Sequence, residues 1–400
     1  MNNAIKKITT GCCLMACSLL LNAQTNSISL DSCYLLAKRN YPLVKQYELI
    51  EKTKDYSLEN IAKGYLPQIN INGQATYQSD ITQLPKIIPG VPVLTKDQYR
   101  LYAEADQPIY DGGIIKEQKK LQEANSIVDK QKLEVELYKL EDRINQLFFG
   151  ILLIDEQLKQ NALTKDDIQL GLDKVNAQIA NGTALRSNAD VLKAELLKAN
   201  QQTVELNSNR KAFTDILSLF IKKPLDENTI FIKPPDIIPS PEIKRPELLM
   251  YDYQHKIFDA QNNLLTAHNR PKLSFFVQGG FGKPAFNILS NNFDPFYIGG
   301  LKLNIPLSGF YTIKNDRALL NINKENIDVQ KETFLFNTHI ALKQQNADIV
   351  KLQTFLKTDD EIIPLRTNVK KAALAQLENG VINSSDYLRE VNAEDNARQN

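Results

Sequence analysis

"PQININGQATYQS", residues 67–79, alternates in character almost without a break. Ile69, Ile71, Gly73, Ala75 and Tyr77 fall on one face of an extended chain, and Asn70, Asn72, Gln74, Thr76 and Gln78 on the other. A period of two is that of a β-strand with one apolar and one polar face. Three more segments share the pattern. In "YRLYAEADQPIY", Tyr99, Leu101, Ala103, Ala105 and Ile109 oppose Arg100, Glu104 and Asp106. Leu273, Phe275, Val277 and Phe281 oppose Lys272, Ser274 and Gln278. Tyr297, Leu301, Leu303, Ile305 and Leu307 oppose Lys302 and Asn304. Strands of about ten residues, apolar outward and polar inward, are the signature of a transmembrane β-barrel. Tyr77, Tyr99, Tyr110, Phe281 and Tyr297 near the strand ends suit an interfacial aromatic girdle. On this reading Ile69, Ile71, Leu101, Phe275 and Leu303 face lipid.

Almost everything between the strands reads as helix. From about Gly113 to Ala180 there is no proline. Leu133, Leu137, Leu140, Ile144, Leu147, Ile151, Ile154 and Leu158 recur there at helical spacing. Such a helix is on the order of 100 Å long, which suggests a coiled coil or helical barrel. A second long helix, about Ile313 to Glu378, contains Pro364, where a kink or break is expected.

The chain repeats itself, and that sets the domain organisation. Pro42 aligns with Pro246 and Pro67 with Pro271, both at an offset of 204. Pro108 aligns with Pro306 and Gly182 with Gly380, both at 198. The change of register falls between residues 67 and 108, in the first loop. A tandem duplication is expected: residues 24–223 as one repeat and 246–400 as the other. Each runs helix, β-hairpin (67–110 and 271–307), long helix, Asn-Gly tip (180–187 and 378–385) and return helix. Residues 224–245, with prolines 224, 234, 235, 239 and 241, read as an extended linker. The first return helix, about Asp190 to Phe220, has a partner beginning at Asp386 with only half that length before Asn400. Either the second repeat ends short or the chain is truncated.

The N-terminus, "MNNAIKKITTGCCLMACSLLLNAQ", has a basic start at Lys6 and Lys7 and an apolar run from Ile8 to Leu21. It reads as a secretory signal peptide over residues 1–23, too short for a membrane helix. Cleavage is expected after Ala23. Leu14 to Cys17 also resembles a lipoprotein box, in which Cys17 becomes the lipidated N-terminus. Only Cys33 lies beyond this segment, so no disulfide framework exists.

The 48 basic and 47 acidic residues leave a charge of +1, with no basic footprint for nucleic acid. There is no G-x-S-x-G, H-E-x-x-H, P-loop or C-x-x-C motif. His255, His268 and His339 are far apart and read as surface or packing residues. Lys357 to Glu361, "KTDDE", reads as a solvated turn near Pro364 rather than a metal site. No catalytic residue, cofactor or metal is expected, and the protein is not read as an enzyme.

Four strands cannot close a membrane barrel alone, because unpaired edges in lipid are too costly. The order of elements, the "RPELL" start of the second half, the Pro-then-Gly strand ends ("QPIYDGG", "IPLSGF") and the "NGT" and "NGV" turns resemble the TolC-like outer-membrane efflux proteins. The resemblance covers essentially the whole mature chain. It implies a mainly α fold of duplicated helical hairpins forming an α-barrel. It also implies a small antiparallel β part that supplies four strands per subunit to a trimeric twelve-stranded barrel. Location in the outer membrane, with helices in the periplasm, follows. So does a passive conduit in a tripartite efflux or type I secretion system, opened by a periplasmic adaptor (membrane fusion protein) and an inner-membrane transporter of RND or ABC type. By position, the adaptor-contacting tips fall on Asn181, Gly182 and Thr183, and on Asn379, Gly380 and Val381. The periplasmic aperture falls on Asp386, with Arg389 where family members often carry a second carboxylate. Asp386 also reads as a first-turn acid after "NSS", favourable to the helix dipole. The rival reading is an exported coiled-coil scaffold or adaptor that does not span the membrane.

Overall fold

A computed structural model describes residues 27–81, 95–236 and 242–399. The signal segment, most of the first hairpin loop with its three prolines, and part of the linker lie outside these. The chain divides into two compact units, each drawn from both halves of the sequence: Met1–Val44, Glu136–Ile243 and Phe336–Asn400 in one, Lys45–Val135 and Lys244–Leu335 in the other.

The first unit is helical with a small two-stranded sheet, of which Ile28 and Phe231 are buried. Strand β1 (Ser27–Ser29) leads into α1 (Leu30–Asn40), which Ser29 caps by accepting a hydrogen bond from the Ser32 amide at 3.3 Å. β1 pairs in parallel with β4 (Ile230–Ile232). β4 lies inside residues 224–245, read as an extended linker, and its proline-free "NTIFIK" pairs with β1. Ile28 and Phe231, from the two strands, join Cys33, Ala37, Leu140, Ile144, Phe148, Ile151, Leu217 and Ile221 in one core. Phe231 stands edge-on to Phe148 at 5.4 Å. The rest of this unit comes from α3 (Ile114–Ala180) beyond Val135, α4 (Arg186–Ile221), α6 (Gly309–Glu378) beyond Leu335, and α7 (Ser384–Gln399).

Helix α3 begins where "QPIYDGG" ends. Asp111 accepts hydrogen bonds from the Gly113 and Ile115 amides at 2.8 and 2.7 Å, so it caps the first turn. The backbone turns there through Gly112 and Gly113, with φ of 75° and 86°. Helix α6 is continuous through Pro364, and the expected break is absent. "KTDDE" lies inside that helix, not in a turn.

The second unit carries the four-stranded antiparallel sheet, ordered β2 (Gln68–Tyr77), β3 (Asp97–Tyr110), β5 (Lys272–Lys283), β6 (Asp294–Asn304). Helices α2 (Gln46–Ala62) and α5 (Pro246–His268) precede the two hairpins, α5 with its proline at the first helical position. The first helix of the chain is not continuous as expected. A short 3-10 turn, Pro42–Lys45, separates α1 from α2. The fourth strand ends at Asn304, so Ile305 and Leu307 lie beyond it.

Candidate functional site

The sheet and the helical tips are the two candidate sites. In the sheet, register puts Ile69, Ala105, Val277 and Gly299 in one row and Ile71, Ala103, Gly279 and Tyr297 in another, all on one face. Phe275 pairs with Leu301 and Leu273 with Leu303 on the same side. These groups are not packed under helices: Ile69 is 72 %, Leu101 60 %, Phe275 43 % and Leu303 64 % exposed. A wide apolar surface of this kind on a folded chain marks a surface that something else covers. A bulge at Pro108/Tyr110 sets Tyr110, rather than Ile109, opposite Leu273. Tyr77, Tyr99 and Phe281 lie toward the loop end and Tyr110 toward the helix end. Tyr297 sits mid-sheet in the Ile71 row, so it is not a girdle residue by position.

The opposite face carries Asn70, Glu104 and Gln278 in one row and Gln74, Arg100 and Asp294 in another. It is less uniformly polar than expected. Tyr102, Phe276, Phe296 and Ile298 share it. The outer edges of β2 and β6 have no partner strand among the described residues.

The tips are two turns of the same construction. Gly182 and Gly380 have φ of 73° and 67°. In the first, the Gly182 amide donates to the Ile179 carbonyl and the Thr183 amide to that of Gln178, at 3.0 and 2.9 Å. In the second, Gly380 donates to Leu377 and Val381 to Gln376, at 3.1 and 2.9 Å. Both are Schellman closures, and every atom pair is repeated at an offset of 198 residues. A side chain at either glycine meets nothing within 4 Å, so both turns are open to a partner. Gln178 Nε2 donates to the Leu377 carbonyl at 2.6 Å and joins the two turns.

Beneath them Ile168, Val175, Leu192, Ala373, Leu377, Tyr387, Leu388 and Val391 form one core. The Tyr387 hydroxyl donates to the Asp167 carbonyl at 2.9 Å, and burial pushes its pKa upward. Lys370 bonds Asp167 and, at 2.9 Å, Glu394. Arg398 and Thr367 also donate to Glu394, at 2.7 and 2.9 Å. Nothing in the sequence spacing marks this network, since its members come from three helices. Burial works against the charge of Lys370, but its two carboxylate partners raise its pKa on balance. Burial likewise opposes ionisation of Glu394. Its bonds from Lys370, Arg398 and Thr367 outweigh that and hold it below the usual 4.5. A depressed carboxyl pKa stabilises fully above the unfolded value and is lost as pH falls through the folded one. The raised lysine contributes fully below its ordinary 10.5 and is lost only above it. The tip should therefore hold between these limits and loosen in acid below 4.5. Hydrogen exchange of the amides around Tyr387, at pH 6 and pH 3, checks this. Glu394→Gln should remove most of the difference, and equal acid sensitivity in that variant would refute the assignment.

Asp386 and Arg389 lie on α7. Asn383 caps this helix, accepting from the Asp386 amide at 3.0 Å, so Asp386 is the third-position acid of a capping arrangement. Arg389 reaches Asp386 at 3.5 Å and Glu390 at 3.3 Å. Among the described residues no cluster of potential metal ligands occurs, and no helix is long and apolar enough to cross a membrane. His255 bonds Asp328 at 2.8 Å.

Solved structures share this arrangement over nearly the whole chain. The CusC transmembrane channel superposes with a TM-score of 0.63 at 13 % identity, over 92 % of this chain and 87 % of that one. The outer membrane protein VceC of Vibrio cholerae matches at 0.63 and 10 % identity, over 92 % and 90 %. The fold is that of the outer-membrane channels. The outer-membrane channel OprN adds a further match at 0.61 and 13 % identity, over 92 % and 85 %. The resemblance to TolC-like proteins read from the sequence thus holds at the level of fold. No protein-family profile and no curated protein sequence matches the chain. Within the channel fold, the exposed sheet and the paired tips are the two features that bear on function.

Proposed function

We propose that this chain is an outer-membrane exit channel, a passive conduit from periplasm to exterior. The observation that carries the reading is the sheet. It has an exposed apolar face, an opposite face with Asn70, Gln74, Arg100 and Glu104, and, among the described residues, two unpaired edges. In lipid, each unpaired backbone group costs several kcal/mol, so β2 must meet β6 of another copy. Two copies close eight strands, an interior filled by side chains; three close twelve and leave room for water. Charged Arg100, Glu104 and Lys302 on the inward face favour the wet alternative, a homotrimer.

The helices then extend into the periplasm, because each hairpin starts and ends on that side. Both halves repeat the order of helix, hairpin, long helix and Schellman turn, which supports a tandem duplication with repeats at 24–223 and 246–400. The tips at Asn181–Thr183 and Asn379–Val381 are the proposed docking points for a periplasmic adaptor. An inner-membrane transporter of RND or ABC type acts through that adaptor in a tripartite efflux or type I secretion system. Asp386 in three copies lines the proposed aperture. Its ion pair with Arg389 in the same chain offsets the negative charge, so the ring should bind cations less strongly than bare carboxylates do.

Cysteines introduced at Thr183 and Val381 test the docking. In intact cells, both should crosslink to one periplasmic protein, identified by mass. Crosslinking from neither site, with the channel present in the outer membrane, would remove the adaptor assignment. A protein wholly soluble without detergent would remove the channel itself.

A further inference from the structure

The loop between β5 and β6, residues 284–293, folds back over the polar face of the sheet. Register puts Asn72, Tyr102, Gly280 and Phe296 in one row on that face. Phe286, from the loop, stands edge-on to Phe296, with ring centres 5.1 Å apart and planes at 74°. Tyr102 lies 6.2 Å from Phe296 across Gly280. Two glycines on this face are closely approached, Gly280 by β3 and Gly282 by the loop. A Cβ at Gly280 would sit 2.1 Å from the Leu101 carbonyl oxygen. One at Gly282, in the next row of the same face, would meet the Pro284 oxygen at 3.1 Å and Ala285 Cα at 3.3 Å. Ala285 is buried, so the start of the loop is seated, while the Phe286 ring stays more than half exposed.

We propose that Phe286 is a specificity-determining constriction at the outer mouth of the passage, where its ring takes flat apolar solutes. This rests on the channel reading, in which the polar face lines the lumen. Nearby rows there present Asn70, Gln74, Arg100 and Glu104. Tyr102, Phe276, Phe296 and Ile298 make that wall mixed, and among the exposed apolar residues of the loop (Phe286, Ile288, Leu289, Phe293) Phe286 rests its ring on inward-facing Phe296, where it meets what passes. Ring faces stack on flat apolar molecules, and apolar constrictions hinder hydrated ions by dewetting. Three copies would set three such rings around one opening, each resting on Phe296, which Tyr102 backs.

Planar-bilayer recording in potassium chloride tests it. Phe286→Ser should raise single-channel conductance on the order of two-fold, because the dewetting ring is gone. Phe286→Cys, treated with a trimethylammonium-bearing methanethiosulfonate, should fall in conductance. Tyr297→Cys, on the apolar face, should not change under the same reagent. Cys33 will not interfere: it is buried, and burial, partly offset by Lys223, pushes its thiol up to about 12. If Phe286→Ser conducts like the unaltered protein and label at position 286 has no effect, the constriction is overturned while the channel stands. If the unaltered protein never conducts, the channel reading and the constriction fall together.

Discussion

Replacing Tyr387 by alanine should destabilise the helical tips by about 3–5 kcal/mol, the usual cost of deleting a large buried aromatic. Tyr387 is 1 % exposed, at the centre of the tip core. It is held from two sides. Its hydroxyl donates to Asp167, and its ring lies so close to Gly171 that a Cβ there would come within 2.5 Å. The cavity cannot collapse easily, because Ile168, Val175, Leu192, Ala373 and Leu377 are fixed on long helices that extend far from the turns. Tyr387→Phe keeps the ring and should cost only about 1 kcal/mol. Hydrogen exchange across residues 168–192 and 373–391 reads both effects. The alanine variant should lose protection there and keep it around Phe148 and Leu217, which belong to a separate core. Uniform loss at both places would mean that the two cores open as one.

The second large effect concerns the sheet. Val277→Arg places a cation on the apolar face near mid-sheet, where a lipid-facing charge costs about 2–4 kcal/mol per chain. In the proposed trimer three chains share one barrel, so assembly should fail. Gln278→Arg, one residue on, points to the other face and should assemble normally, since a wet lumen tolerates charge. The contrast is read by trimer recovery from outer-membrane fractions. Equal recovery of the two variants would mean that the faces do not differ in surroundings.

Regular periods made most of this fold readable in advance. Ile69, Ile71 and Ala75 alternate with Asn70, Asn72 and Gln74, and register places them as the alternation requires. The proline-free run to Ala180 is a single helix of 67 residues. Asn-Gly marked both tips, because a left-handed residue after a helix favours glycine. What escaped has no period. The strands at Ile28 and Phe231 are three residues long, and their pairing joins segments some two hundred residues apart. The ion network around Lys370 joins Asp167 and Glu394, from helices that meet only in the folded state. The inward fold of the loop at Phe286 depends on the close approach at Gly282, not on any motif. For the proposed aperture, the family resemblance named Asp386 and Arg389 by position, but the cap from Asn383 and the bond from Arg389 are visible only in the structure.

The most direct test is spin-label accessibility at Ile71 and Asn72 in the membrane-assembled protein. These neighbours point to opposite faces at mid-sheet. The label at position 71 should be open to oxygen and closed to a water-soluble nickel reagent, and the label at position 72 should show the reverse. Two labels equally open to the nickel reagent would mean that the apolar face meets water, and no channel could be built from this sheet.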